Sequence, residues 1–165
     1  MRIEFDVTLK ESDLYRFNMR HAYAKGQGII SIVMALVCLI AAVKTHGSVE
    51  LSYTMLYAVF SAVFLVYLPI SLYLRSKRQM LASEALRRSL RYVVDPEGIH
   101  AFQDGESADL PWGQVYQVAS SRRYVWIYSS RVNAYIIPRS QIEGKYEALR
   151  QIVGEQLPKY KWKMK

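Results

Sequence analysis

The sequence predicts a membrane α+β protein, a two-helix transmembrane hairpin inserted into a cytoplasmic antiparallel β domain. Three observations predict it: two long charge-free apolar blocks, a run of short alternating strands after them, and a lone strand before them.

Residues 2–9 read RIEFDVTL, with Ile3, Phe5, Val7 and Leu9 alternating with Glu4, Asp6 and Thr8. That is the period-2 signature of a half-buried strand, whose backbone groups need a partner. Residues 1–10 are therefore assigned to the sheet of the later β domain. Residues 11–25 follow as a pre-membrane helix, with a polar start at Ser12 and Asp13 and Leu14 and Phe17 at helical spacing.

The first block, GIISIVMALVCLIAAV at 28–43, extends to 18 residues between Lys25 and Lys44. That is roughly 27 Å of helix, which the flanking lysines stretch to bilayer thickness by snorkelling. The second block, 51–74, has 24 residues without a charge. The spans are placed at 26–46 and 51–74. A chain this small could not enclose both as core helices. A cleaved secretory signal is rejected, because the apolar core starts only at residue 28, behind an amphipathic, mixed-charge stretch.

The link KTHGSVE at 44–50 is too short for anything but an antiparallel hairpin, so both chain ends lie on one side. Arg16, Arg20 and Lys25 precede the first span, Arg75, Lys77, Arg78, Arg87, Arg88 and Arg91 follow the second, and only Lys44 lies between. The positive-inside bias places both termini in the cytoplasm, and the expected location is a bacterial inner membrane. Pro69 removes one hydrogen bond of the second helix, to the Leu65 carbonyl, and predicts a kink there. Ser31 with Ala35, and Ala58 with Ala62, are small residues spaced to bring the helices together. Neither apolar block, 28–43 or 51–74, contains Asp, Glu, Lys, Arg or His, which argues against a pump or ion pathway.

Residues 75–88 read as a basic juxtamembrane helix continuing the second span. The net charge is +8, from 22 Lys and Arg against 14 Asp and Glu, and 16 of those 22 bases fall within residues 75–165. In a membrane protein that surplus faces anionic lipid, and no nucleic acid is needed to explain it. The candidates for lipid or partner contact here are Arg75, Lys77, Arg78, Arg87 and Arg88.

Six strands are then predicted, at 89–94, 99–103, 106–111, 114–120, 123–129 and 133–138, with turns at DPEG (95–98) and at Asp104-Gly105. A helix follows, opened by a Ser140/Glu143 capping box, striped by Ile142, Tyr146, Leu149 and Val153, and stopped at Pro158. With the opening strand, the meander has seven strands and one C-terminal helix over 89–157. In the tail at 158–165, the string KYKWKMK (159–165) mixes bases with aromatics, a composition suited to a membrane interface. Trp112, at a strand entrance, is expected to anchor the core.

Seven strands and a C-terminal helix resemble a pleckstrin-homology-like domain. The string LPWGQVYQVASSRRYVWIYSSRVNAYIIPRSQI behind two spans is similar to the YcxB-like family of small bacterial membrane proteins, with Arg139 where a lysine is common. The resemblance implies a fold and brings no biochemical activity with it.

Tyr124, Trp126 and Tyr128 share one face of their strand and Val125 and Ile127 the other. The pattern leaves open which face is core. The three aromatics, with Arg122 and Arg123 before them, are further partner-binding candidates. No catalytic constellation, phosphate loop or metal-ligand spacing occurs, and the single cysteine, Cys38, sits inside an apolar run. The expectation is a non-enzyme without cofactor or metal: a membrane-anchored module that binds a protein partner, or lipid headgroups, through its cytoplasmic domain. Immunity to a membrane-acting or periplasmic toxin and a role as accessory subunit of a transporter are the alternatives. Homo-oligomerisation is left open.

Overall fold

The structure is a computed structural model that describes residues 1–164. It divides into a β-rich unit formed by Met1–Leu14 with Met80–Lys165, and a helical unit, Tyr15–Gln79.

In the β-rich unit the opening strand finds its partner. Strand β1 (Ile3–Val7) pairs antiparallel with β2 (Leu90–Val94), setting Ile3 against Val94, Phe5 against Tyr92 and Val7 against Leu90. Strands β3 (Gly98–Gln103) and β4 (Glu106–Pro111) complete a sheet in the order β1-β2-β3-β4. The β2–β3 turn closes by the Asp95 N–H donating to the Gly98 carbonyl, and the Asp95 carboxylate accepts from the N–H groups of Glu97 and Gly98. A Cβ on Gly98 would stand 2.6 Å from the Leu110 carbonyl oxygen, so only glycine lets β4 approach. At the β3–β4 hairpin Asp104 and Gly105 both have positive φ, 51° and 87°, as a type I′ turn requires.

The second sheet has the order β7-β6-β5-β8, from β5 (Gln117–Ser120), β6 (Tyr124–Tyr128), β7 (Ala134–Pro138) and β8 (Trp162–Lys163). The predicted strand at 114–120 is shorter than expected because a 3-10 turn, Trp112–Gln114, occupies its start. The tail is also corrected. Trp162 and Lys163 pair parallel with Val118 and Ala119, and Met164 is buried, so these residues complete a sheet rather than meet a lipid interface.

Helix α5 (Tyr146–Gln156) begins later than the capping box predicts. Gly144 takes a left-handed φ of 79°, and Ser140 lies in a separate 3-10 turn, Arg139–Gln141. The predicted stripe survives, since Ile142, Tyr146, Leu149 and Val153 are all buried, joined by Ile152. These residues enter one core with Phe5 and Val7 of β1, Val94 and Ile99 of the first sheet, and Val118, Val125, Ile127 and Ile137 of the second. Trp112 is buried in that core and its indole N–H donates to the Asp95 carbonyl at 2.9 Å. Beyond the β1 ladder, the Gln141 amide both accepts from the Thr8 N–H and donates to the Thr8 carbonyl, each at 2.8 Å. Lys145 donates to the Glu4 carbonyl at 2.6 Å. The opening strand is thus held by a sheet and by side chains leading into α5.

Helix α1 (Glu11–Ala24) starts one residue before the predicted cap. Asp13 reaches back, its carboxylate accepting from the Lys10 N–H at 2.9 Å, while the Asp13 N–H donates to the Lys10 carbonyl.

The helical unit contains α2 (Gln27–Thr45) and most of α3 (Leu51–Ala82). Gly26, with φ 87°, separates α1 from α2. A Cβ on Gly28 would fall 2.4 Å from the Tyr23 ring, so glycine is required there too. The inward face of α2 is Gly28, Ser31, Ala35, Cys38 and Ala42, a 3-4 spaced seam of small side chains. The Ser61 hydroxyl donates to the Ala35 carbonyl at 2.9 Å, and the Ser31 hydroxyl donates to the Phe64 carbonyl. These bonds set the facing seam of α3 at Tyr57, Ser61, Phe64 and Leu68. Ala58 and Ala62, predicted as contact residues, are instead exposed, one position off that seam. The helix continues unbroken through Pro69. Within the same unit, Tyr15 packs edge-on to Tyr73 and the Asn18 amide donates to the Ser76 hydroxyl at 2.9 Å.

Candidate functional site

The basic candidates fall in two places rather than on one helix. Arg75, Lys77 and Arg78 are exposed on the last turns of α3, which stops at Ala82. Ser83 then adopts an extended backbone and caps a separate one-turn helix, α4 (Glu84–Arg87), its hydroxyl accepting from the Leu86 N–H. The expected continuous helix over 75–88 is therefore broken, because Ser83 satisfies the N–H groups of a new helix start instead of extending the old one. Arg87 is exposed. Arg88 is already engaged: its guanidinium meets Asp104 at 2.6 Å and Glu84 at 3.1 Å, tying the segment to the β3–β4 turn. The Asp104 hydrogen bond holds the Arg88 pKa above its ordinary value. That pairing makes Arg88 a structural contact and removes it from the free basic surface.

Arg122 and Arg123 lie exposed in the β5–β6 turn. The Ser121 N–H donates to the Tyr124 carbonyl at 2.8 Å and closes that turn. The Arg139 guanidinium, in the departure noted from the family string, stacks 3.5 Å from the centre of the Tyr146 ring and donates to the Ser121 carbonyl. Arg139 thus braces the loop that presents Arg122 and Arg123.

The aromatic face is settled as buried. Tyr124, Trp126 and Tyr128 are 6%, 4% and 8% exposed, and Val125 and Ile127 on the opposite face are fully buried. Strand β6 is therefore covered on both sides, and its three aromatics are withdrawn as a docking surface. Tyr124 stacks on Trp126 at 5.8 Å, and its hydroxyl donates to the Asp13 carboxylate at 2.7 Å. Asp13 is itself buried, so one carboxylate both caps α1 and accepts from β6, 111 residues away. A buried carboxylate is tolerated when donors such as these compensate its desolvation.

One grouping escaped the sequence pattern. The His100 Nδ1 lies 2.6 Å from Asp109, its cross-strand partner on β4, and Nε2 lies 3.4 Å from Asp95 in the β2–β3 turn. The hydrogen bond to Asp109 raises the imidazole pKa above its ordinary value, burial opposes it, and Asp95 adds to the rise. Burial pushes the Asp95 carboxyl up, but the N–H groups of Glu97 and Gly98 together with His100 hold it below the usual range. Only the sheet register brings these residues together, and no spacing rule could have found them. Among the described residues no cluster of three His, Cys, Asp or Glu could hold a metal ion. The arrangement is an electrostatic clasp between two strands and a turn.

These features define a class: a two-sheet, mainly antiparallel β domain joined to two helices that are long and apolar enough to cross a membrane. Residues 94–153, from the end of β2 into α5, match the family model described as YcxB-like protein, and that stretch is similar to the family. No curated protein and no solved structure matches the chain.

Proposed function

We propose that the chain is a multi-pass protein of a bacterial inner membrane, with both termini cytoplasmic. In this reading a non-enzymatic pleckstrin-homology-like domain, held at the bilayer by the hairpin, binds a protein partner. The observation that carries it is the inverted order of the helical pair. The seam holds small residues, while Ile30, Val33, Ile40, Val59 and Val66 point outward; only 17% and 11% of the two apolar windows are buried. In water that order would expose a large apolar surface, whereas in lipid it places small residues where helices meet. A core helix of a soluble protein would be mostly buried.

Two sheets closed by a C-terminal helix support the pleckstrin-homology-like reading. The pairing of β1 with β2, from opposite ends of the hairpin, requires both ends on one side, and the bases flanking the spans favour the cytoplasm. Because Tyr124, Trp126 and Tyr128 are covered, partner contact is assigned to the loop surface around Arg122 and Arg123.

The test is in-cell photo-crosslinking of the full-length protein from positions 122 and 123, combined with alkaline extraction of membranes. Retention in the extracted membranes and a discrete protein adduct from the loop support the reading. Release into the supernatant overturns the membrane anchor, and absence of any adduct overturns the partner surface.

A further inference from the structure

The outward side of α3 carries a feature that a plain anchor does not need. A shallow groove of about 430 Å³ runs along the helix, lined by Tyr67, Ile70, Ser71, Leu74, Arg75 and Arg78. The order along the axis is directional. Tyr67, Ile70 and Leu74 are large, apolar or aromatic, and well exposed, whereas Arg75 and Arg78 stand at the end where the apolar stretch gives way to charge. Neither arginine makes an ion pair among the described residues, in contrast with Arg88. Spacings of three and four residues put all six on one stripe of a single helix.

The geometry points to a binding site for one anionic phospholipid, with an acyl chain along Tyr67, Ile70 and Leu74 and the headgroup phosphate held by Arg75 and Arg78. The inference rests on the membrane reading above and deepens it, since it selects a lipid class at one place on the hairpin. Charge complementarity selects the occupant. Two unpaired guanidiniums side by side match a phosphate diester, and guanidinium forks bind phosphate better than a single ammonium does. The apolar stripe lies directly below them, as the acyl region lies below the phosphate plane. Ser71 lies within the apolar stripe, between Ile70 and Leu74 and one turn from Arg75. A neutral lipid would gain the stripe but would offset the guanidiniums with its own cation, and a free phosphate would leave the stripe exposed.

Full-length protein is extracted in mild detergent and offered phosphatidylglycerol and phosphatidylcholine of equal chain length, with bound lipid counted by native mass spectrometry. The wild type is expected to retain one phosphatidylglycerol in preference to phosphatidylcholine. The Arg75→Gln/Arg78→Gln protein should lose roughly tenfold of that preference, and Arg122→Gln/Arg123→Gln should keep it. Equal retention by the wild type and the Arg75/Arg78 variant overturns the site. Competition by inorganic phosphate alone overturns it in favour of a simple anion site. Alkaline extraction of the membranes, before detergent is added, separates the two levels. Release from the membrane refutes the membrane reading, whereas a retained protein without lipid preference refutes only this site.

Discussion

Replacing Phe5 by Ala should destabilise a domain whose other strands all begin more than 80 residues later. Phe5 is 5% exposed, stacks on Tyr92 with ring centroids 5.6 Å apart, and belongs to the single core shared by both sheets and α5. Truncating a buried phenylalanine typically costs about 3–5 kcal/mol, the lost transfer energy plus the cavity left behind. Because β1 is held by the β2 ladder and by Gln141 and Lys145, it cannot slide to refill the gap cheaply, and the upper half of that range is expected. Deleting residues 1–9 removes Ile3 and Val7 as well, each worth about 1.5–3 kcal/mol when fully buried. That approaches the whole stability of an ordinary domain, roughly 5–15 kcal/mol, so the deletion should leave the β domain unfolded. The assay has a convenient reporter. All three tryptophans, Trp112, Trp126 and Trp162, lie in the β-rich unit, so their fluorescence follows that unit and ignores the hairpin. In urea, with a slope of about 1–3 kcal/mol/M, the Phe5→Ala midpoint should fall by at least 1 M. Phe102→Ala, at an exposed β3 position, serves as the control and should move it little. Coincident midpoints for wild type and Phe5→Ala would refute the split sheet.

Two further outcomes follow from the polar contacts. Tyr124→Phe and Asp13→Ala should each cost about 1–2 kcal/mol in the same tryptophan-monitored unfolding, and the double variant should cost less than their sum, since both remove the Tyr124–Asp13 hydrogen bond. His100 predicts a pH dependence of definite sign. Its pKa is raised in the folded protein, so its contribution is fully present below the unfolded value of about 6.5 and is lost as pH rises through the folded value. Stability should therefore decline over that interval in the wild type, and His100→Gln should flatten the decline; an unchanged slope would remove the clasp as its cause.

Local rules made much of the β domain legible in the sequence. Alternation identified RIEFDVTL, DPEG and Asp104-Gly105 marked turns that form, the second with the positive φ its type requires, and Ile142, Tyr146, Leu149 and Val153 marked the buried face of α5. What was not legible depended on partners remote in the chain. Period-2 patterning says that Tyr124, Trp126 and Tyr128 share a face, but a strand covered on both faces has no polar side to reveal which is inner. The tail strand β8 has two residues and depends on β5 for its existence, so its bases and aromatics read as interface chemistry. Ser140 and Glu143 had the spacing of a cap, yet the left-handed Gly144 placed the helix start beyond them. Arg88 looked free because its partner Asp104 is 16 residues away, across the β2–β3 pair.

The sheet draws strands from either side of the helical pair. Had β1 been encoded after residue 80, the β domain would be complete by itself and joined to the spans by one connection. With β1 before α1, folding of the β domain closes a loop that contains the whole hairpin, through the β1–β2 ladder and again through Asp13 and Tyr124. In a membrane-inserted chain the bilayer would hold the two ends of that loop close together, which lowers the entropic cost of pairing β1 with β2. Insertion would then precede closure of the sheet, and the β domain would be stable chiefly where the hairpin is already inserted. In the topology proposed above, the split strand order would couple the integrity of the β domain to insertion of the hairpin.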